Sequence, residues 1–218
     1  MNALRLSRFV VATVATLCAW TLPGLAHAQA ETTFQEKMAT PELLAEVRKG
    51  GYVLYMRHGT TDNSRPDRAP AVDLNDCNTQ RVLNDDGRKL AVTIGKAIAK
   101  ANIPVGEVFH SPLCRARESA ELAFPALRGK LKPELNLAYT ANLTAEEKKP
   151  VLAATRTLVS TPVPAGTNRV LVAHAPNMAD LMGYFVKPEG TVVVLRPLGS
   201  DKFEYLGSIP PTLWASLK

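Results

Sequence analysis

Hydrophobic positions along this chain gather into three short runs, and each breaks off at residues that do not belong in a core. The first is Gly51-Tyr-Val-Leu-Tyr-Met-Arg-His-Gly59, an apolar, β-branched and aromatic run bounded by glycines and ending in Arg57 and His58. A run this short, apolar throughout, predicts a strand buried on both faces of a parallel sheet. Glu107-Val-Phe-His110 and Arg169-Val-Leu-Val-Ala-His174 repeat the pattern, followed at once by Ser111-Pro112 and Ala175-Pro176.

Helical periodicity fills the intervals. Thr40-Pro41-Glu42 reads as a helix start, with Thr as N-cap, Leu43, Leu44 and Val47 on one face, and Gly50-Gly51 as the stop. Asn84-Asp-Asp-Gly87 caps a second helix, whose Leu90, Ile94, Ile98 and Ala101 recur on one face. Ser111 as N-cap and Pro112 at the first helical position predict a third helix through Leu122, with Arg115 in its first turn. Glu134–Ala138 reads as a further strand, and a helix with Glu146 and Glu147 in its first turn follows Thr144. Asn177 lies in the first turn of the helix after His174. Thr191–Leu195 and Lys202–Leu206 flank Pro197–Asp201 and predict an antiparallel hairpin at the sheet edge. The fold class is α/β: three layers, α/β/α, around a mostly parallel sheet with an antiparallel edge strand.

Composition adds a compartment. Arg5 and Arg8, the apolar run Phe9–Trp20, the break at Pro23-Gly24 and the small residues of Ala26-His27-Ala28 predict a signal peptide over 1–28. A flexible segment, 29–40, and a single domain, 41–218, follow, with periplasmic or secreted localisation. The apolar run is short for a span, so no stable membrane insertion is expected after cleavage. Cleavage leaves 24 basic against 20 acidic residues, a net +4. These basic residues are dispersed, which argues against nucleic acid as a partner. Cys77 and Cys114 remain, and in an oxidising compartment they predict a disulfide; the alternative is two unrelated buried thiols. No Cys and His stand at zinc-site spacing, so no structural metal is expected.

Between Thr60 and about Asp85 lies a long polar segment without period, holding Asp62, Arg65, Asp67, Arg68 and Cys77. Such a stretch inside a domain reads as a lid or binding loop.

A parallel sheet brings successive strand ends to one rim, where ligands bind. Here the rim would collect Arg57, His58, Ser111, Arg115 and His174 beside helix N-termini, which favour anions. Arginine forks orient phosphoryl oxygens, and a neutral imidazole can attack phosphorus. Thr61, Asp62, Ser111 and Asn177, just past the strand ends, are candidate substrate-binding residues.

Arg57-His58-Gly59, Ser111-Pro-Leu-Cys-Arg-Ala and Val172-Ala-His174 resemble the motifs of the histidine phosphatase (phosphoglycerate-mutase-like) superfamily, in that family's order; Leu83-Asn-Asp-Asp-Gly87 also fits. The resemblance implies a phosphoglycerate-mutase-like fold for an exported bacterial member. It implies His58 as the phosphorylated nucleophile, Arg57 and Arg115 as phosphate-binding arginines, and His174 as the second pocket histidine. It implies no metal and no organic cofactor, and a small phosphorylated substrate.

The departures concern the proton donor. Thr60 follows the Arg-His-Gly where the sugar-phosphate mutases carry an acidic residue or Gln, and Ala175 follows His174 where the acid phosphatases carry Asp. Glu189 and Asp62 are the candidate general acids, with Glu134 and Glu146 as further choices. Lack of a strong acid would suit acyl or nitrogen-bound phosphates. The expectation is a phosphoric monoester hydrolase working through phosphohistidine. A phosphomutase, or a non-catalytic module binding envelope phosphate groups, is the alternative.

Overall fold

The structure is a computed structural model that describes residues 33–68 and 72–217; the expected signal peptide lies outside the described residues. Six strands form one sheet: β1 (Val53–Arg57), β2 (Val105–His110), β3 (Lys132–Pro133), β4 (Asn168–Ala173), β5 (Val192–Gly199) and β6 (Lys202–Ile209). Their order is β3-β2-β4-β1-β5-β6. β3, β2, β4 and β1 run parallel, β5 is antiparallel to β1, and β6 is antiparallel to β5. The fold is the expected α/β one, with the β5–β6 hairpin at one edge.

Alternation along β1 makes the layers. Leu54 and Met56 point to one face, where they meet α1 (Pro41–Val47), α2 (Asp85–Lys100) and α3 (Cys114–Ala123) through Leu44, Val47, Ile94, Ile98, Ala116 and Ala120. Val53 and Tyr55 point to the other face, against α4 (Ala145–Ser160) and α5 (Ala175–Met182) through Val159, Met178 and Leu181. Apolar burial on both faces explains why the strand runs lack alternation in sequence. Thr40, Asn84 and Thr144 cap their helices as expected, Thr144 and Glu147 forming a reciprocal capping box. Among the described residues, no helix is long and apolar enough to cross a membrane.

Three details differ from the sequence reading. Glu134–Ala138 is not a strand: β3 stops at Pro133, and residues 135–137 form a 3₁₀ turn because the Glu134 carboxylate accepts the Asn136 N–H at 2.9 Å. α3 starts at Cys114 with Leu113 as its cap residue, and the Ser111 hydroxyl is engaged elsewhere. Residues 33–39, expected as a loose lead-in, make specific contacts. Ala39 N–H donates to the Ser208 carbonyl at 2.9 Å, and Phe34 stacks on Tyr184 at 4.5 Å.

The register sets the site. Arg57 lies opposite Ala173 across β1–β4, and His110 lies opposite Val172 across β2–β4. The pairing continues one step beyond: His58 N–H donates to the Ala173 carbonyl at 3.0 Å, and Ser111 N–H to the Val172 carbonyl at 2.9 Å. His58, Ser111 and His174 therefore leave the sheet side by side.

Candidate active site

The two histidines face each other at the rim, their ring centroids 5.1 Å apart and their planes at 62°. His58 is 3% exposed and His174 fully buried. His58 Nδ1 lies 2.7 Å from the Gly59 carbonyl oxygen, which can only accept. Nδ1 must therefore carry the proton, leaving the Nε2 lone pair free. Burial, then the charges of Arg115, Arg57 and Arg81, lower the His58 pKa to about 3, so the ring is neutral near pH 7.

His174 is fixed from two sides. Its backbone N–H donates to the Tyr55 hydroxyl at 3.1 Å, and that hydroxyl donates to the His174 carbonyl at 2.7 Å. Its Nε2 lies 2.8 Å from Ser111 Oγ, which also accepts the Leu113 N–H at 3.3 Å. In the tautomer whose Nε2 accepts the Ser111 hydroxyl proton, the ring carries its own proton on Nδ1. That atom is buried without a hydrogen-bond partner among the described residues, so in this tautomer it is an unused donor. Burial, followed by Arg115, His58, Arg81 and Arg57, holds this imidazole well below its ordinary pKa.

The guanidiniums are gripped at one end and free at the other. Arg57 Nη1 donates to the Val186 carbonyl at 2.8 Å and Nη2 to Glu189, while its Nε has no partner among the described residues. Arg115, fully buried, gives Nη1 to Asp67 Oδ1 at 2.9 Å and to the Arg81 carbonyl at 3.3 Å; its Nε and Nη2 have no partner among the described residues. The Tyr139 ring caps Arg115 at 5.1 Å and meets His174 edge-on at 5.4 Å. Burial of unpaired cationic N–H groups is costly, and several in one place constitute a site for an oxyanion.

A close backbone approach holds this loop against α2. A Cβ on Gly59 would stand 2.4 Å from the Gly87 carbonyl oxygen, so only glycine fits. Gly59 N–H also donates to Ser119 Oγ at 3.0 Å, and Ser119 returns its proton to the Arg115 carbonyl at 2.7 Å. The histidine loop and the arginine helix are thereby joined.

Arg57, His58, Ser111, Arg115 and His174 thus come together as the sequence suggested. Asn177 is buried beside them, its Nδ2 donating to the Ala138 carbonyl at 2.8 Å and its Oδ1 unpartnered among the described residues. Thr61 is buried where the polar loop pairs with Leu83. The candidate acids are otherwise engaged. Asp62 accepts Ser64 Oγ at 2.6 Å and Ser64 N–H at 3.0 Å, and these bonds lower its pKa. Glu189 holds Arg57. Glu134 caps its own turn, and Glu146 pairs with Lys149 at 2.8 Å. Cys77 and Cys114 form a disulfide, with Cα atoms 5.8 Å apart. Sequence reasoning missed Arg81, Asp67, Tyr55 and Tyr139. Asp67 and Arg81 come from the polar loop, where no period marks which side chains turn inward.

Comparison with known proteins agrees with this geometry. Residues 53–143 match the model of the histidine phosphatase superfamily, branch 1. No curated protein sequence matches the chain. Among solved structures, the protein histidine phosphatase SixA complexed with tungstate is similar at 16% identity and TM-score 0.53, over 77% of this chain and 99% of that one. A mycobacterial glucosyl-3-phosphoglycerate phosphatase in complex with VO3 is similar at 18% identity and TM-score 0.51, over 72% and 98%. That family's model matches from β1 past α3, over less than half of the chain, and in fold the chain is similar to these solved structures.

Proposed function

We propose that the chain is a phosphatase that hydrolyses a small phosphorylated substrate through a phosphohistidine on His58. One observation carries this reading: the Gly59 carbonyl fixes the proton on Nδ1 and burial keeps the ring neutral, so Nε2 is a ready nucleophile. In the first step the Nε2 lone pair bonds to phosphorus, and the bond to the leaving group breaks with its electron pair. In the second, a water oxygen bonds to phosphorus, the N–P bond returns its pair to Nε2, and phosphate departs. The free N–H groups of Arg57, Arg115 and His174 stabilise the charge on the equatorial oxygens in both transfers.

The engagement of Asp62 and Glu189 favours substrates whose leaving group departs without a strong acid, namely acyl and nitrogen-bound phosphates. The signal-like sequence at 1–28 and the Cys77–Cys114 disulfide support action outside the cytoplasm.

The test is incubation of the protein, in chelator, with an aryl phosphate, acetyl phosphate and phosphoramidate, beside His58→Ala. Faster turnover of the latter two, with an acid-labile phosphoryl adduct absent from His58→Ala, is the expected result. Equal rates in the two proteins, or no hydrolysis of any of the three, would overturn the reading and leave an anion-binding module.

A further inference from the structure

Arg81 lies outside every motif, yet its surroundings are those of a pocket residue. Its backbone is held on both sides, with the N–H donating to Asp67 Oδ1 at 2.8 Å and the carbonyl accepting Arg115 Nη1 at 3.3 Å. Among the described residues its guanidinium makes one long hydrogen bond, from Nη1 to Asn63 Oδ1 at 3.4 Å. Its Nε is buried with no partner among the described residues, the same condition as Nε of Arg57 and of Arg115. Three guanidiniums offering unpaired N–H groups call for one acceptor with several oxygens. After burial itself, the Arg81 charge is among the causes that depress His58, His174, Arg57 and Arg115.

What delivers Arg81 is a loop tied to α3. The arms of the loop bond to each other: Asp62 N–H to the Val82 carbonyl at 3.0 Å, Arg68 N–H to the Thr79 carbonyl at 2.9 Å, and Asn84 N–H to the Thr60 carbonyl at 3.1 Å. The Cys77–Cys114 disulfide then attaches the loop to α3 one residue before Arg115. Gln80, next to Arg81, accepts the Cys114 N–H through Oε1 at 2.8 Å. Arg81 and Arg115 thus leave the two sides of one covalent junction.

We infer that Arg81 is a third guanidinium binding the phosphoryl group, and that the Cys77–Cys114 bridge is the positioning device that holds it there. Naming the anion as the substrate's phosphoryl group rests on the proposed function; the anion site itself does not. The bridged loop completes the site, and the reduced protein keeps only Arg57 and Arg115 in place.

Calorimetric titration with inorganic phosphate tests this without turnover, with circular dichroism confirming the fold of each variant. Arg81→Ala should weaken phosphate binding about 10- to 100-fold, in the range for hydrogen bonds to charged groups. Arg81→Lys should recover part of the loss, and Arg81→Gln serves if the alanine variant does not fold. Cys77→Ser/Cys114→Ser should weaken binding in the same direction and, where substrate turns over, raise KM more than it lowers kcat. In an Arg81→Ala background the serine pair should cost no further affinity, because the bridge acts through Arg81. Phosphate affinity within twofold of wild type in Arg81→Ala and Arg81→Gln, or losses that multiply in the combined variant, would overturn the inference. Failure of the wild type to hydrolyse or to form the adduct would defeat the proposed function alone and leave this binding result intact.

Discussion

The carboxylate of Asp67 lies 2.9 Å from Nη1 of Arg115, so a residue of the polar loop neutralises the fully buried cation of the arginine helix. The same Oδ1 accepts the Arg81 N–H at 2.8 Å. One carboxylate therefore orders two of the pocket's three arginines.

Removing that carboxylate leaves an uncompensated buried guanidinium. Asp67→Ala should lower stability by about 3 kcal/mol, as expected for breaking a buried ion pair from one side. Inorganic phosphate should restore part of this loss, since the anion takes over the compensation. Urea denaturation with and without phosphate measures both, and a variant as stable as wild type would refute the argument.

Tyr55 acts on chemistry through position alone. Its hydroxyl satisfies both the N–H and the carbonyl of His174 in a fully buried place. Tyr55→Phe leaves both groups unpaired, at about 2 kcal/mol of stability. Displacement of His174 should then lower kcat and leave KM nearly unchanged. A variant with wild-type kcat would show that Tyr55 serves packing only.

How much of this was legible in the sequence follows from what each feature depends on. β1 and β4 were readable because strands buried on both faces must be apolar throughout, which makes Arg57, His58 and His174 conspicuous where the runs end. Arg115 could be placed because a helix start fixes which residues lie in its first turn. Arg81 was not, since its guanidinium turns inward only after the loop has doubled back and bonded to α3. Ser111 misled for a related reason. A serine before proline suits an N-cap, but its hydroxyl has a better partner in His174, 63 residues away in sequence. Glu134 likewise capped a turn where the local pattern suggested a strand.

The approach of the histidine loop to α2 gives a backbone prediction. A Cβ on Gly87 would stand 1.9 Å from the Thr60 carbonyl oxygen, and neither backbone can yield without moving Gly59. Gly87→Ala should destabilise by about 3 kcal/mol, toward the upper end for an overpacked site. It should also reduce turnover, because His58 is bonded to the displaced Gly59 carbonyl. Thermal unfolding and kcat report the two effects, and loss of neither would mean that the loop relaxes freely.

The buried histidines make stability depend on pH in a definite direction. In the unfolded chain an imidazole titrates near 6.5. In the folded chain His58 titrates at about 3, and His174 is also held well below its ordinary value. Between these values the unfolded state binds more protons, so stability is fully present above about pH 6.5 and is lost as pH falls. Each histidine should contribute a slope of up to about 1.4 kcal/mol per pH unit through this window. The interval from about pH 6.5 to 5 isolates the effect, since ordinary carboxylates titrate below it. Urea denaturation across that interval should show the slope, and His58→Gln should flatten it by the share of one histidine. Inorganic phosphate should oppose the loss, because a bound anion favours the protonated imidazoles it touches. Stability constant from pH 6.5 to 5 in the anion-free protein would show that the imidazoles are not held neutral.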